Sequence, residues 1–413
     1  MTASQGSGRA FKAFKETLSG HFAGLGGLIA GLIIAWQLGI FQTFAGHQWI
    51  IAVYPAVLIT EAVISAIFSG RLNTALHVGI LQPTFRGNLK PLTRLLQRIL
   101  VLTLPTAVLV SIISTFLGNL FWGITSAAFV SILIIVVATM MFGLTTYLFT
   151  VPITFEAFKK GLDLDSVAYP ISVTLADVFI TVYYSLTVNL YFKFSLAGLY
   201  TVILMAILPI ILILYPLSKV GLKRGFVRTM RTSMPAMCLV AAIASLAGAI
   251  LQTINGGIAH LNGNGALQFI AIVAVYPAII ELVSDSSQVI GSTTTASLIL
   301  GLLKPYFSSM WTHAGEILGA WAASVTMFVP LSAASLALTG TFSLHSFYLF
   351  TSILLVANVF AMIPMILISY AFAILTFKKG LDPDHVVIPL ETALAGAITS
   401  SALLAALFLL ART

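Results

Sequence analysis

Residues 158–170 read FKKGLDLDSVAYP, and residues 377–389 read FKKGLDPDHVVIP. Nine of the thirteen positions are identical, at a separation of 219 residues. Two further segments recur at nearly that distance. AVYPA stands at 52–56 and at 274–278, and GILQPTF at 79–85 returns as GLLKPYF at 301–307, each 222 residues apart. A net change of three residues in one loop reconciles the two separations. The sequence therefore reads as two copies of one unit, 18–193 and 233–413.

The repeated unit is apolar. Of 413 residues only 8% are charged and 59% are hydrophobic, with a mean hydropathy of +1.06. A soluble domain carries about 25% charged residues, so this chain could not cover a water-facing surface. Runs such as 129–151 and 199–217 are long enough for a span of ~20 residues, and they lack the two-residue alternation of a membrane β-barrel. The expected class is an all-α polytopic membrane protein. Cys238 is the single cysteine, which leaves no internal disulfide and no cysteine metal cluster. Residues 1–17 carry Arg9, Lys12, Lys15 and Glu16 around Phe11 and Phe14, the pattern of a short basic amphipathic helix at the membrane surface. No small-residue cleavage site follows, as a signal peptide would require.

Eleven spans are expected, near 20–44, 50–82, 98–121, 126–153, 168–192, 196–217, 235–258, 267–303, 317–340, 345–376 and 386–411. The second and eighth are long for one crossing, and are expected to be broken, tilted or partly outside the bilayer. With the N-terminus in the cytoplasm, the cytoplasmic loops collect Arg86, Lys90, Arg94 and Arg98; Lys159 and Lys160; Lys219, Lys223, Arg224, Arg228 and Arg231; Lys304; and Lys378 and Lys379. The opposite side receives Lys193 and Arg412. That asymmetry agrees with the positive-inside rule, and it accounts for the formal charge of +8 without nucleic acid as a partner. Trp49, Trp122 and Trp311 fall near span ends, where interfacial Trp is expected.

Five spans per unit is an odd number, so two directly fused units would face opposite ways. The segment 194–232 supplies one further span and a basic loop. It returns the chain to the cytoplasm, giving parallel repeats about an axis along the membrane normal. One chain then corresponds to a pseudo-dimer. Both FKKGLDxD segments fall on the cytoplasmic side. Their acids, Asp163, Asp165, Asp382 and Asp384, read either as a paired acidic vestibule or as solvated helix-start acids.

A charge inside a span costs ~2.5–3.5 kcal/mol on insertion scales. Twelve acids occur in the chain, and five fall inside expected spans. They are Glu61, Asp177, Glu281, Asp285 and Glu391, all in the second or fifth span of a unit. Glu281 and Asp285 are four apart and share a helix face, as Thr174 and Asp177, three apart, do on theirs. Around Asp285 the stretch ELVSDSSQVIGSTTTAS (281–297) adds Ser284, Ser286, Ser287, Gln288, Ser292 and Thr293 as oxygen ligands, or as partners for a broken backbone. Thr293, Thr294, Thr295 and Ser297 also fit ordinary hydroxyl bonding within a membrane helix. Every ligand offered is oxygen, and no His or Cys cluster stands on these spans. That set suits a hard cation such as Mg²⁺, which keeps part of its water shell and needs one or two carboxylates. Glu61 is ten residues from Arg71, ~15 Å along a straight helix, too far for a pair. Asp177 aligns with Gly396 rather than with Glu391, so the two copies are not equivalent. Glu316 sits at the edge of the ninth span and is expected to be interfacial.

Pro170, Thr174 and Asp177, following Gly161-Leu162-Asp163, resemble the last-span motif of the MgtE magnesium channels. The two-copy arrangement with an added helix is similar to the eukaryotic solute carrier family forty-one. Gly70-Arg71-Leu72-Asn73-Thr74-Ala75 is similar to that family's Arg-Leu-Ser-Thr-Ala segment. The resemblance runs from about residue 18 to residue 411. It implies Mg²⁺ transport through a central site to which Asp177 contributes, with Asn73 nearby, and no organic cofactor. Ala62-Val63 and Ser284-Asp285 stand where the family carries a Gly-Asn pair. Seventeen residues precede the first span, so no counterpart of the family's cytoplasmic gating domains is expected.

The expected function is divalent-cation transport, most directly of Mg²⁺, through an acidic path lined by the second, fifth, eighth and eleventh spans. Asp177 and Asp285 would be the main ligands, with Glu281, Glu61, Thr174, Glu391 and Ser284 lining or flanking. Proton- or sodium-coupled exchange of a divalent ion is the alternative, because intramembrane acids also form relays. A carrier of organic or anionic solutes would need basic ligands at mid-depth, and Arg71 alone offers one. An intramembrane enzyme would pair its acids with a nucleophile and base, and no His is expected beside Asp177 or Asp285. The expected setting is a prokaryotic cell membrane with the bilayer as partner.

Overall fold

The computed structural model describes residues 3–23, 25–40, 47, 49–84, 89–162, 164, 169–214, 223–259, 265–379 and 383–410. These residues are helical between short turns, with no strand among them. In chain order the helices are α1 (Ala3–Ala23), α2 (Leu25–Ile40), α3 (Trp49–His77), α4 (Leu89–Trp122), α5 (Ala128–Gly143), α6 (Tyr147–Lys159), α7 (Tyr169–Lys193), α8 (Ser195–Leu214), α9 (Lys223–Ala259), α10 (Gly265–Ile299), α11 (Ala314–Leu338), α12 (Leu344–Lys379) and α13 (Pro383–Leu410). A three-residue 3₁₀ turn, Leu144–Thr146, joins α5 to α6, so these two continue one another. Ten helical segments among the described residues are long and apolar enough to cross a membrane, and α8 adds a shorter apolar helix. The chain is an integral membrane protein of the helical class. Irregular backbone would leave amides unsatisfied in lipid, which is why apolar runs of this length become helices.

The second and eighth spans are not broken. α3 runs 29 residues through Pro55, and α10 runs 35 residues through Pro277. Proline inside a membrane helix is tolerated where neighbours satisfy the freed carbonyl. Pro55 and Pro277 are the prolines of the two AVYPA copies, so this device is itself repeated.

The residues divide into two compact units. One comprises Met1–Trp36 with Thr253–Thr413, and the other Gln37–Gln252. The first helical segment of the chain thus belongs with the second sequence copy. Most of α9, which opens that copy, belongs with the first. In the first-named unit a Cβ at Gly31 of α2 would overlap the Ala274 carbonyl of α10. In the other, a Cβ at Gly248 of α9 would overlap the Ala52 carbonyl of α3. Ala52 and Ala274 open the two AVYPA copies. Each unit therefore has a backbone-to-backbone crossing that only glycine permits, against the motif carried by the other copy. α1 lies along α11, and a Cβ at Gly319 would overlap the Ala10 carbonyl. Ala13, Thr17 and His21 of α1 are buried, while Lys12 and Glu16 form an exposed pair at 3.7 Å.

The AVYPA tyrosines explain the rest of that motif. Thr181 donates to the Asp177 carbonyl at 2.7 Å, which leaves its oxygen to accept from Tyr54 at 3.0 Å. Ser400 donates to the Gly396 carbonyl at 2.7 Å and accepts from Tyr276 at 2.7 Å. These pairs occupy corresponding positions in the two copies and tie α3 to α7 and α10 to α13. Tyr184 donates to the Ile50 carbonyl at 2.7 Å, so α3 and α7 run antiparallel. Replacing Tyr276 by Phe is expected to destabilise the protein by about 0.6–1.7 kcal/mol, the range of buried interhelical hydrogen bonds in membranes. The midpoint of thermal unfolding in detergent measures this, with helix content unchanged.

Candidate functional site

The register set by Tyr54 and Tyr184 brings two distant acids together. Glu61 lies two turns beyond Tyr54 on α3, and Asp177 one turn before Thr181 on α7. Both are buried, Glu61 at 0% exposure. Their carboxylates act on one another electrostatically. Glu61 also acts on the hydroxyl of Tyr147, at the start of α6. Both carboxylate oxygens of Glu61 and the Tyr147 hydroxyl lack a hydrogen-bond partner among the described residues. Tyr147 is held in place by stacking on Phe68, with centroids 4.0 Å apart. Gly143 ends α5 beside the same carboxylate, where a Cβ would stand 3.2 Å from Glu61 Oε1 and 3.0 Å from Ile180.

A buried carboxylate without hydrogen bonds is costly, and a second carboxylate beside it adds repulsion. Such a pair is relieved either by a cation or by protonation of one carboxylate. The cluster lies wholly within Gln37–Gln252, and its counterparts in the second copy are Val283, Gly396, Ile366 and Met362.

The other unit places its acids differently. Glu391 on α13 is buried, accepts a hydrogen bond from Ser369 of α12 and lies beside the Ser287 hydroxyl of α10. Gly291 stands opposite, where a Cβ would be 3.8 Å from both carboxylate oxygens. The corresponding residues of the first copy are Ser172, Thr150, Ser65 and Ser69. Position 391 corresponds to 172, five residues before Asp177, a difference of ~7.5 Å along the helix. The two sequence copies thus carry carboxylates at different positions along the aligned segment.

Other expected ligands scatter. Glu281 is buried and faces α2, where a Cβ at Gly27 would fall 2.6 Å from its Oε2. Asp285 is half-buried on α10 in the same unit, and Ser284 accepts from Gln288 Nε2 at 2.9 Å. Thr174 is half-buried one turn before Asp177. The Asn73 carbonyl pairs with His77 Nδ1 at 2.9 Å, toward the end of α3. Arg71 donates to Ser233 of α9 at 3.3 Å and is half-buried rather than deep. The vestibule acids Asp163, Asp165 and Asp382, and the side chain of Asp384, lie outside the described residues.

Several hydroxyls of 281–297 serve the helix itself rather than a break in it. Ser287 bonds the Ser284 carbonyl, Thr293 that of Val289 and Thr295 that of Gly291. Two histidines correct the expectation that none stands near these segments. His21 Nε2 of α1 meets Ser286 Oγ at 3.1 Å, next to Asp285. His313 bridges Thr294, 3.3 Å from its Nδ1, to Glu316, 2.6 Å from its Nε2. Tyr147, Gly143 and Ser369 were absent from the expected set. Their sequence signal is weak, because one tyrosine, one glycine and one serine in an apolar run are ordinary.

Among the described residues no three His, Cys, Asp or Glu side chains converge as a metal-ligand group. The arrangement offers at most two carboxylates with hydroxyls, which matches a partly hydrated hard cation better than a dedicated chelate. No protein-family model, curated protein or solved structure matches the chain.

Proposed function

We propose that the chain is a divalent-cation transporter with Mg²⁺ as its principal cargo. The observation that carries this reading is the Glu61–Asp177 pair: two buried carboxylates that act on one another, with Glu61 also acting on the Tyr147 hydroxyl, neither Glu61 nor that hydroxyl having a hydrogen bond among the described residues. A cation passing there removes the repulsion, and carboxylate, phenol oxygen and retained water form the ligand set that Mg²⁺ accepts. Asp285 and Glu391 serve as further acidic stations, with Glu281, Thr174 and Ser284 flanking. The resemblance to MgtE points the same way, as do the two sequence copies, which this reading treats as parallel five-helix repeats joined by α8. The setting is a prokaryotic cell membrane with the N-terminus in the cytoplasm, and the chain has no enzymatic role. Exchange of a divalent ion against protons or Na⁺ is the second reading, favoured by the number of intramembrane acids.

The test is Mg²⁺ uptake into proteoliposomes holding a Mg²⁺-sensitive dye, with and without a pH or Na⁺ gradient. Uptake above that of empty liposomes is expected. Dependence on a gradient selects exchange, and independence selects a channel or uniporter. Folded protein that passes no Mg²⁺ under any gradient refutes the proposal.

A further inference from the structure

α4 carries three cations on one line. Lys90, Arg94 and Arg98 are spaced i, i+4, i+8 and therefore share a helix face, each ~6 Å from the next. All three are exposed, while Leu95, Gln97 and Ile99 on the same turns are buried. Packing on that buried side fixes the helix's rotation and keeps the cationic line outward. None of the three has an ion pair or a hydrogen bond among the described residues, and α4 contains no Asp or Glu. Like charges at i, i+4 repel on a helix, and among the described residues the line lacks a counter-charge.

The length of α4 sets the depth of the line. The helix has 34 residues and ends at Trp122, a residue type that favours the membrane interface. Measured from Trp122, Arg98 lies ~36 Å and Lys90 ~48 Å along the axis. A bilayer has a ~30 Å hydrocarbon core and is ~40–45 Å across with headgroups. Arg98 therefore reaches the layer of lipid phosphates opposite Trp122, and Lys90 its outer edge. The corresponding positions of the second copy are Thr312, Glu316 and Ala320, so the line is not part of the repeated architecture. There the neighbouring Gly319 is covered by α1.

We propose that Lys90, Arg94 and Arg98 form a docking site for the phosphate headgroup of an anionic phospholipid. Arginine's planar fork suits phosphate oxygens, and a row of three cations fits one doubly charged headgroup or two neighbouring ones. The charge complementarity is one-sided, because a zwitterionic headgroup brings its own cation to the same face.

Native mass spectrometry of the full chain, titrated with phosphatidylglycerol or phosphatidylcholine, tests this. The natural protein is expected to retain phosphatidylglycerol preferentially. The preference should fall about fivefold per cation removed in Arg94→Gln and Lys90→Gln/Arg94→Gln/Arg98→Gln. Lys159→Gln/Lys160→Gln, which removes exposed charge elsewhere, should leave it intact. Undiminished preference in the triple variant overturns the proposal, as does an equal fall in the Lys159/Lys160 control. Inorganic phosphate binding as tightly as the lipid would also overturn it. Should the triple variant unfold, Arg94→Gln alone decides. None of these readouts requires transport.

Discussion

Asp177→Asn and Glu61→Gln are each expected to cut Mg²⁺ uptake into proteoliposomes at least about tenfold while leaving the protein as stable as before, or more so. Each substitution keeps size and one acceptor but removes one of the two charges that would face the proposed cargo ion. A tenfold change corresponds to ~1.4 kcal/mol, a small share of what one ligand charge contributes in a dry site. Stability should move the other way. Glu61 is buried without a hydrogen bond among the described residues, and replacing an uncompensated buried acid with a neutral side chain is often neutral or stabilising. The double variant should lose little more than either single one, because the two carboxylates act together. Uptake and thermal unfolding measured on the same preparations separate the readings. Loss of both would mean that the acids hold the fold, and loss of neither would remove them from the ion path.

Gly248→Leu and Gly31→Leu are expected to be the most disruptive substitutions in the membrane region. At both positions even a Cβ would overlap a backbone carbonyl, that of Ala52 or Ala274. A backbone oxygen cannot turn away as a flexible side chain does, so the helices must separate. Overpacking a core costs about 1–3 kcal/mol where side chains alone must shift. Here the close approach that drives association of membrane helices is itself lost. Size-exclusion profiles and unfolding midpoints in detergent should show aggregation or a large downward shift for both variants. Gly79→Ala provides a local comparison, since Gly79 has open space but a φ of +76° and tests backbone strain alone. Similar behaviour of Gly248→Leu and the natural protein would refute the close crossing.

The helical membrane class could be read directly from the sequence, because lipid leaves helices as the only open-ended structure for apolar runs of this length. Asp177 and Glu61 also stood out as candidates, since an acid within an apolar run is costly. Their partnership did not. They are separated in sequence by three helices, and only the Tyr54–Thr181 and Tyr184–Ile50 bonds fix the register that joins them. Tyr147 and Gly143 acquire meaning only from that register. The assignment of the opening helices was invisible for a different reason. Gly31 and Gly248 face the same repeated motif, so periodicity cannot tell which glycine meets which copy. His21 escaped notice because 265 residues separate it from Ser286.

The exchange of opening helices has a consequence for biosynthesis. α1 and α2 leave the ribosome well before the surface they cover, which begins at Thr253. At about 5–20 residues per second, roughly ten to forty seconds of elongation pass before that surface starts to exist. During that time the glycine face of α2 lacks its mate. The nascent chain needs a temporary companion for that face, whether lipid, an insertion factor or AVYPA of its own copy. The last of these would be a non-native pairing, since Gly31 packs on Ala274 in the folded chain. A chain whose copies each folded alone would face no such wait.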